Sequence, residues 1–172
     1  MKTHMSFEKL VLPPLFFLTL AMALGTDCAK INAQEAVFLV QYPGKNADGT
    51  GLTDAGRRKA NELANLLKDA DIKVIYSFER PYVVQTAEPV AKALNIQVNI
   101  LPFQIEAMDD LVRRLPTQHA KDRVLVVTGP PSRERILEGL GLTEETWKTR
   151  TDNLFVILPN ERQKPLVIKM RW

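Results

Sequence analysis

Cysteine and histidine are nearly missing from this sequence. Across 172 residues there is one cysteine, Cys28, and there are two histidines, His4 and His119. A lone cysteine excludes an internal disulfide, and the three residues together cannot furnish a zinc site built from His and Cys. Charge of one sign is equally scarce. The formal net charge is +3 with a pI near 9.0, and Lys and Arg are scattered rather than striped, so no electrostatic footprint for nucleic acid is present. No apolar run reaches the ~20 residues that a spanning helix needs. The longest, 10–24, has 15 residues and contains the pair Pro13 and Pro14. Internal repeats, low-complexity tracts and linkers are absent too, which excludes solenoids and arrays. What is there is ordinary for a globular chain: 45% hydrophobic and 25% charged residues, enough for one domain with a core.

The first segment places Lys2 and Lys9 in a polar head, then the apolar run, then a polar stretch ending in Ile31, Asn32 and Ala33. This is the pattern of a secretory signal peptide cleaved after Ala33, with an uncleaved membrane anchor as the alternative. The expected organisation is therefore a leader at 1–33 and one domain at 34–172. Such a domain holds no cysteine and has His119 as its one histidine. The expected location is periplasmic or extracellular, or membrane-anchored if the leader is retained.

Beyond the leader, strand and helix alternate. The runs at 36–41, 74–77, 97–101 and 124–128 are short and rich in Val, Ile and Leu, as buried parallel strands are. Helices are expected at 54–71, capped by Thr53 or Asp54, and at 82–94, 109–119 and 132–140, with Pro89 a local disturbance in the second. Two final strands are expected at 153–158 and 166–170. Such alternation predicts an α/β three-layer sandwich, a mostly parallel sheet with helices on both faces. In sheets of this kind ligands sit beyond the carboxyl ends of the strands, here the loops after Val40, Ser77 and Val127.

Those loops carry a resemblance. The segment VFLVQYPGKNADGTGLTDAGRRKANELANLL is similar to the opening of the histidine phosphatase (phosphoglycerate mutase-like) superfamily, in its short bacterial type, through the frame LTxxGxxxA. IYSFERPYVVQTAEPVAKAL, RVLVVTGPPS and DNLFVI resemble later segments of that family, so the resemblance spans about 36–170. It implies the fold given above and a phosphatase or phosphomutase ancestry, without cofactor or metal. It also implies a site: a first-strand Arg-His pair whose histidine takes the phosphoryl group, a clamp arginine on the second helix, and a second histidine after a later strand. Without gaps these positions fall on Gln41 and Tyr42, on Tyr82 and on Gly129, so every one is substituted.

Phosphoryl transfer relies on positioning and on positive charge facing the phosphate oxygens. Gln41 is neutral, Tyr42 and Tyr82 are phenols that nucleophilic chemistry at pH 7 uses poorly, and Gly129 has no side chain. Pro130 and Pro131 withhold the N–H groups that a helix start would aim at an anion. The two tyrosines either fill a vacated pocket by packing or line a binding site. Lys45, Arg80, Glu106 and Arg133 flank the pocket end as rim charges. Arg80 is offset from the clamp position by two residues, and Glu106 is expected in the loop after the third strand. The expected function is thus an exported, catalytically inactive pseudophosphatase that binds a small molecule or a protein and no nucleic acid. The alternatives are a phosphatase with displaced catalytic residues and a subunit anchored to a membrane assembly by its amino-terminal helix.

Overall fold

The computed structural model describes residues 35–147, 154–160 and 163–172. The strands are β1 (Ala36–Gln41), β2 (Val74–Phe78), β3 (Val98–Leu101), β4 (Arg123–Thr128), β5 (Leu154–Leu158) and β6 (Leu166–Met170). The helices are α1 (Asp54–Leu67), α2 (Pro81–Leu94), α3 (Ile105–Gln118), α4 (Pro130–Gly139) and a single turn, α5 (Glu144–Trp147). All six strands form one sheet in the order β3-β2-β4-β1-β5-β6. β1 to β4 run parallel to their neighbours among themselves, while β5 lies antiparallel to both β1 and β6. The register sets Gln41 opposite Thr128, so β1 and β4 end side by side.

Alternation along the strands sorts their side chains into two cores. Val37 and Leu39 join Val124, Val126 and Phe155 in a core covered by α3 and α4, through Leu111, Leu115 and Ile136. Val40 joins Ile75, Leu125 and Val127 in a second core covered by α1 and α2, through Leu63, Val83 and Val90. Burial runs through most of β1 and nearly all of β4, as a sheet sealed on both faces requires. The three-layer architecture read from the sequence is the one observed.

α1 shows why the frame LTxxG is spaced as it is. Thr53 caps the helix, its Oγ1 accepting the Gly56 N–H at 3.0 Å, and the Thr53 N–H donates to the Gly44 carbonyl at 3.3 Å. This draws the helix start onto the preceding loop. A Cβ at Gly56 would stand 2.7 Å from the Gly44 carbonyl oxygen, a contact that only glycine avoids.

Several boundaries differ from the sequence expectation. α3 begins at Ile105 rather than 109, which moves Glu106 out of a loop and into the first helical turn. A carboxylate there faces the positive end of the helix dipole. α4 begins at Pro130, not 132, with its prolines in the first turn, where a missing N–H costs no helical hydrogen bond. Pro89 sits within α2 without ending it, and α5 is an additional element. The expected leader at 1–33 and the expected strand residue Asn153 lie outside the described residues. Among the described residues, no helix is long and apolar enough to cross a membrane.

Candidate functional site

Where β1 and β4 end, the chain brings together residues far apart in sequence. Gln41 is the last residue of β1, and the Tyr42 N–H continues the ladder by donating to the Thr128 carbonyl at 3.1 Å. The Tyr42 ring meets the Tyr82 ring edge-on, with centroids 4.6 Å apart and planes at 62°. Tyr82 comes from the first turn of α2, and its ring carries Lys45 Nζ 5.4 Å from the centroid. Gly129 caps the start of α4 with φ −120° and ψ 175°, extended backbone open to any residue. What restricts that position is space. A Cβ there would stand 3.1 Å from Tyr42 Cε1, so the Tyr42 ring fills the volume into which a side chain at 129 would project.

Burial, and next the neighbouring Tyr82, push the Tyr42 phenol above its ordinary pKa of 10.0. It is therefore a neutral hydroxyl at physiological pH. Besides Lys45, the positive charge in this cluster comes from Arg133, one turn into α4. Its N–H bonds the Gly129 carbonyl at 2.8 Å, and its side chain leans back over the helix start, where Nη1 donates to Gln41 Oε1 at 2.8 Å. The guanidinium lies 5.8 Å from the Phe155 ring centroid, and Nη2 stands 3.4 Å from Glu134. Two polar atoms in the first turn of α4, the Nε of this guanidinium and Ser132 Oγ, are buried without a hydrogen-bond partner. Each such atom costs about 1–3 kcal/mol, an expense that a folded chain rarely leaves unanswered.

The structure thus brings Gln41, Tyr42, Tyr82 and Gly129 together, with Lys45 and Arg133 beside them. Arg80 goes elsewhere: its guanidinium lies 4.5 Å from the centroid of the Phe103 ring, which packs on the core beneath α3. Glu106 is exposed in α3, where it faces Arg135. Arg135 in turn holds Asp109 through two hydrogen bonds of 2.6 Å, which pull the Asp109 carboxyl below its usual value. The bond from Arg133 to Gln41 was not foreseen. Its signal was available, because a residue four positions after a helix cap projects back over that cap. Among the described residues, no group of three or more His, Cys, Asp and Glu is arranged to hold a metal.

The histidine phosphatase superfamily (branch 1) matches residues 44–108, from the loop after Tyr42 into α3. Solved structures share the fold over most of their length. The alpha-ribazole phosphatase of Shigella flexneri aligns at a TM-score of 0.63 and 17% identity, covering 79% of this chain and 96% of that one. The protein histidine phosphatase SixA complexed with tungstate aligns at 0.63 and 20% identity, covering 79% and 96%. The phosphoserine phosphatase of Entamoeba histolytica, in complex with 3-phosphoglyceric acid, aligns at 0.62 and 14% identity, covering 80% and 97%. Residues 44–108 thus carry the signature of the histidine phosphatase superfamily, and the solved structures share the fold of the chain. Among curated protein sequences none matches it. The stretch matching the superfamily includes Tyr82 but excludes Gln41, Tyr42 and Gly129, which lie on the strand ends flanking it.

Proposed function

We propose that this protein is a member of the histidine phosphatase superfamily that binds a ligand at the Tyr42 cluster without hydrolysing it. The carrying observation is the Tyr42 ring packed into the space in front of Gly129, 3.1 Å from where a Cβ would stand. A phosphoryl transfer of the kind the resemblance implies needs a nucleophile and a second group behind it. At this cluster the candidates are a neutral phenol and a glycine. Removing a single nucleophile from a well-organised hydrolase costs on the order of 10⁶ in rate, so a cluster lacking both groups is left with binding. His119 offers no substitute, since its ring nitrogens are engaged by Asp122 and Tyr76.

Arg133 supports the choice of ligand. A guanidinium held by Gln41 through Nη1 and by Glu134 through a long Nη2 contact, with its Nε buried and unpartnered, keeps a donor that suits an oxyanion such as a phosphoryl group. The same observation favours the second reading, a phosphatase whose charge has moved from the end of β1 onto α4. Export belongs to the proposal through the leader pattern, and the mature protein is then expected to begin near Gln34.

The test is hydrolysis of an aryl phosphate by the unmodified protein, alongside vanadate affinity for the protein and for Arg133→Gln. The proposal expects no turnover above the blank and vanadate binding that Arg133→Gln removes. Robust turnover abolished by Arg133→Gln would establish the second reading. Absence of any vanadate binding would overturn the oxyanion assignment.

A further inference from the structure

At the opposite end of the sheet, where β1 and β4 begin, a cleft of about 320 Å³ opens. Val37, Leu115, Val124, Leu140 and Ile157 give it an apolar floor drawn from three strands, α3 and the end of α4. Its size falls within the range of small-molecule sites, and it lies four residues along β1 from Gln41, about 13 Å away at the rise of a strand.

One wall is organised by hydrogen bonds. His119 Nδ1 stands 3.0 Å from Asp122 Oδ2, and Nε2 stands 2.9 Å from the Tyr76 hydroxyl. An ionised carboxylate only accepts, so Nδ1 carries the proton donated to Asp122, and Nε2 accepts from the buried Tyr76 hydroxyl. Both ring nitrogens are thereby spent, which fixes the imidazole as a flat wall. Asp122 differs. Its carboxylate has lone pairs beyond the one used by His119, and its side chain is 35% exposed. Among the described residues, the ionised side chains lining the cleft are Asp122 and Glu35, both acidic, and no lysine or arginine lines it.

We propose that this cleft binds a small organic cation: an aromatic or aliphatic body seated on Val37, Val124 and Ile157, with an ammonium group against the Asp122 carboxylate. The apolar floor supplies affinity for the body, and the acidic edge selects against anions. The site is separate from the Tyr42 cluster and stands whether or not that cluster binds oxyanions.

The experiment titrates the full-length protein with phenethylamine, phenethyl alcohol and 3-phenylpropionate, which share a ring and differ in charge, and follows backbone amide shifts by NMR. Saturable shifts are expected at Val37, Leu115, Ala120 and Val124, with affinity falling from amine to alcohol to carboxylate. Asp122→Asn keeps an acceptor for His119 and is expected to weaken the amine about threefold to tenfold, to the level of the alcohol. Ala120→Trp, at an exposed position on the cleft, is expected to abolish binding of all three. Arg133→Gln is expected to leave amine binding unchanged. Absence of saturable binding by any of the three compounds overturns the site. Equal affinity for amine and carboxylate, or an Asp122→Asn protein that keeps full amine affinity, overturns the cation assignment.

Discussion

Gly129→Ala adds one methyl group to backbone that is already extended, at φ −120° and ψ 175°. Where space allows, such a change stabilises by about 0.4–1 kcal/mol, because the unfolded chain loses freedom. Here the methyl carbon would meet Tyr42 Cε1 at 3.1 Å and Cδ1 at 3.7 Å, against an ordinary contact of about 3.5–4.0 Å. The ring has to withdraw by several tenths of an ångström while its other side packs on Tyr82. Overpacking of this kind costs about 1–3 kcal/mol, which leaves a net loss of about 1 kcal/mol, or roughly 3–5 °C in Tm for a domain of this size. Tyr42→Ala removes the ring and its aromatic partner contact, at a cost of about 2 kcal/mol. In the double variant the methyl enters vacated space, so Gly129→Ala turns from harmful to helpful by about 0.5 kcal/mol. The coupling energy is then about 1.5 kcal/mol, read from urea unfolding of the four proteins. Additivity within about 0.5 kcal/mol would refute the claim that the Tyr42 ring occupies the side-chain space of position 129.

Gly56→Ala inverts the usual helix rule. Alanine gains about 1 kcal/mol over glycine in a free helix, yet here its Cβ would lie 2.7 Å from the Gly44 carbonyl oxygen, so a net loss of about 2 kcal/mol is expected in thermal unfolding, and a gain would dismiss the close approach. Acid should reveal three carboxylates held below their ordinary value: Asp48 by hydrogen bonds from Thr50, Asp71 by Lys73 and Asp109 by Arg135. A lowered folded pKa gives stability that is fully present above the unfolded value of about 3.9 and is lost as pH falls through the folded values. Tm is therefore expected to hold from pH 7 to about 5 and to fall below about 4. A flat profile down to pH 3 would contradict these shifts.

The layers were legible in the sequence because the strands advertise themselves. A run such as Val124 to Thr128 buries every side chain, which only a sheet covered on both faces allows. The convergence of Tyr42, Tyr82 and Gly129 followed from the family resemblance, which picked those positions, together with the rule that parallel strands gather their carboxyl ends. The start of α3 was not, since its cap residue Gln104 makes no side-chain hydrogen bond and Ile105 is exposed, leaving neither a polar nor an apolar signal. The reach of Arg133 to Gln41 depends on the exact start of α4. Placing that start at Ser132 rather than Pro130 rotates the arginine away from the strand end. The cleft beside His119 depends on how three strands, α3 and the end of α4 meet, a matter of packing that no local pattern encodes.

The interlock of Tyr42 with Gly129 gives the site a direction in time. A side chain set at 129 meets the phenol ring at its first carbon, 3.1 Å from Tyr42 Cε1, so the ring has to give before position 129 can grow. Nor does an imidazole at 42 alone help, since it opens a gap beside Tyr82 and still faces a glycine. Either single change therefore passes through a less stable intermediate. The arrangement works as a ratchet: positions 42 and 129 are tied so that either can change at little cost only when the other changes with it.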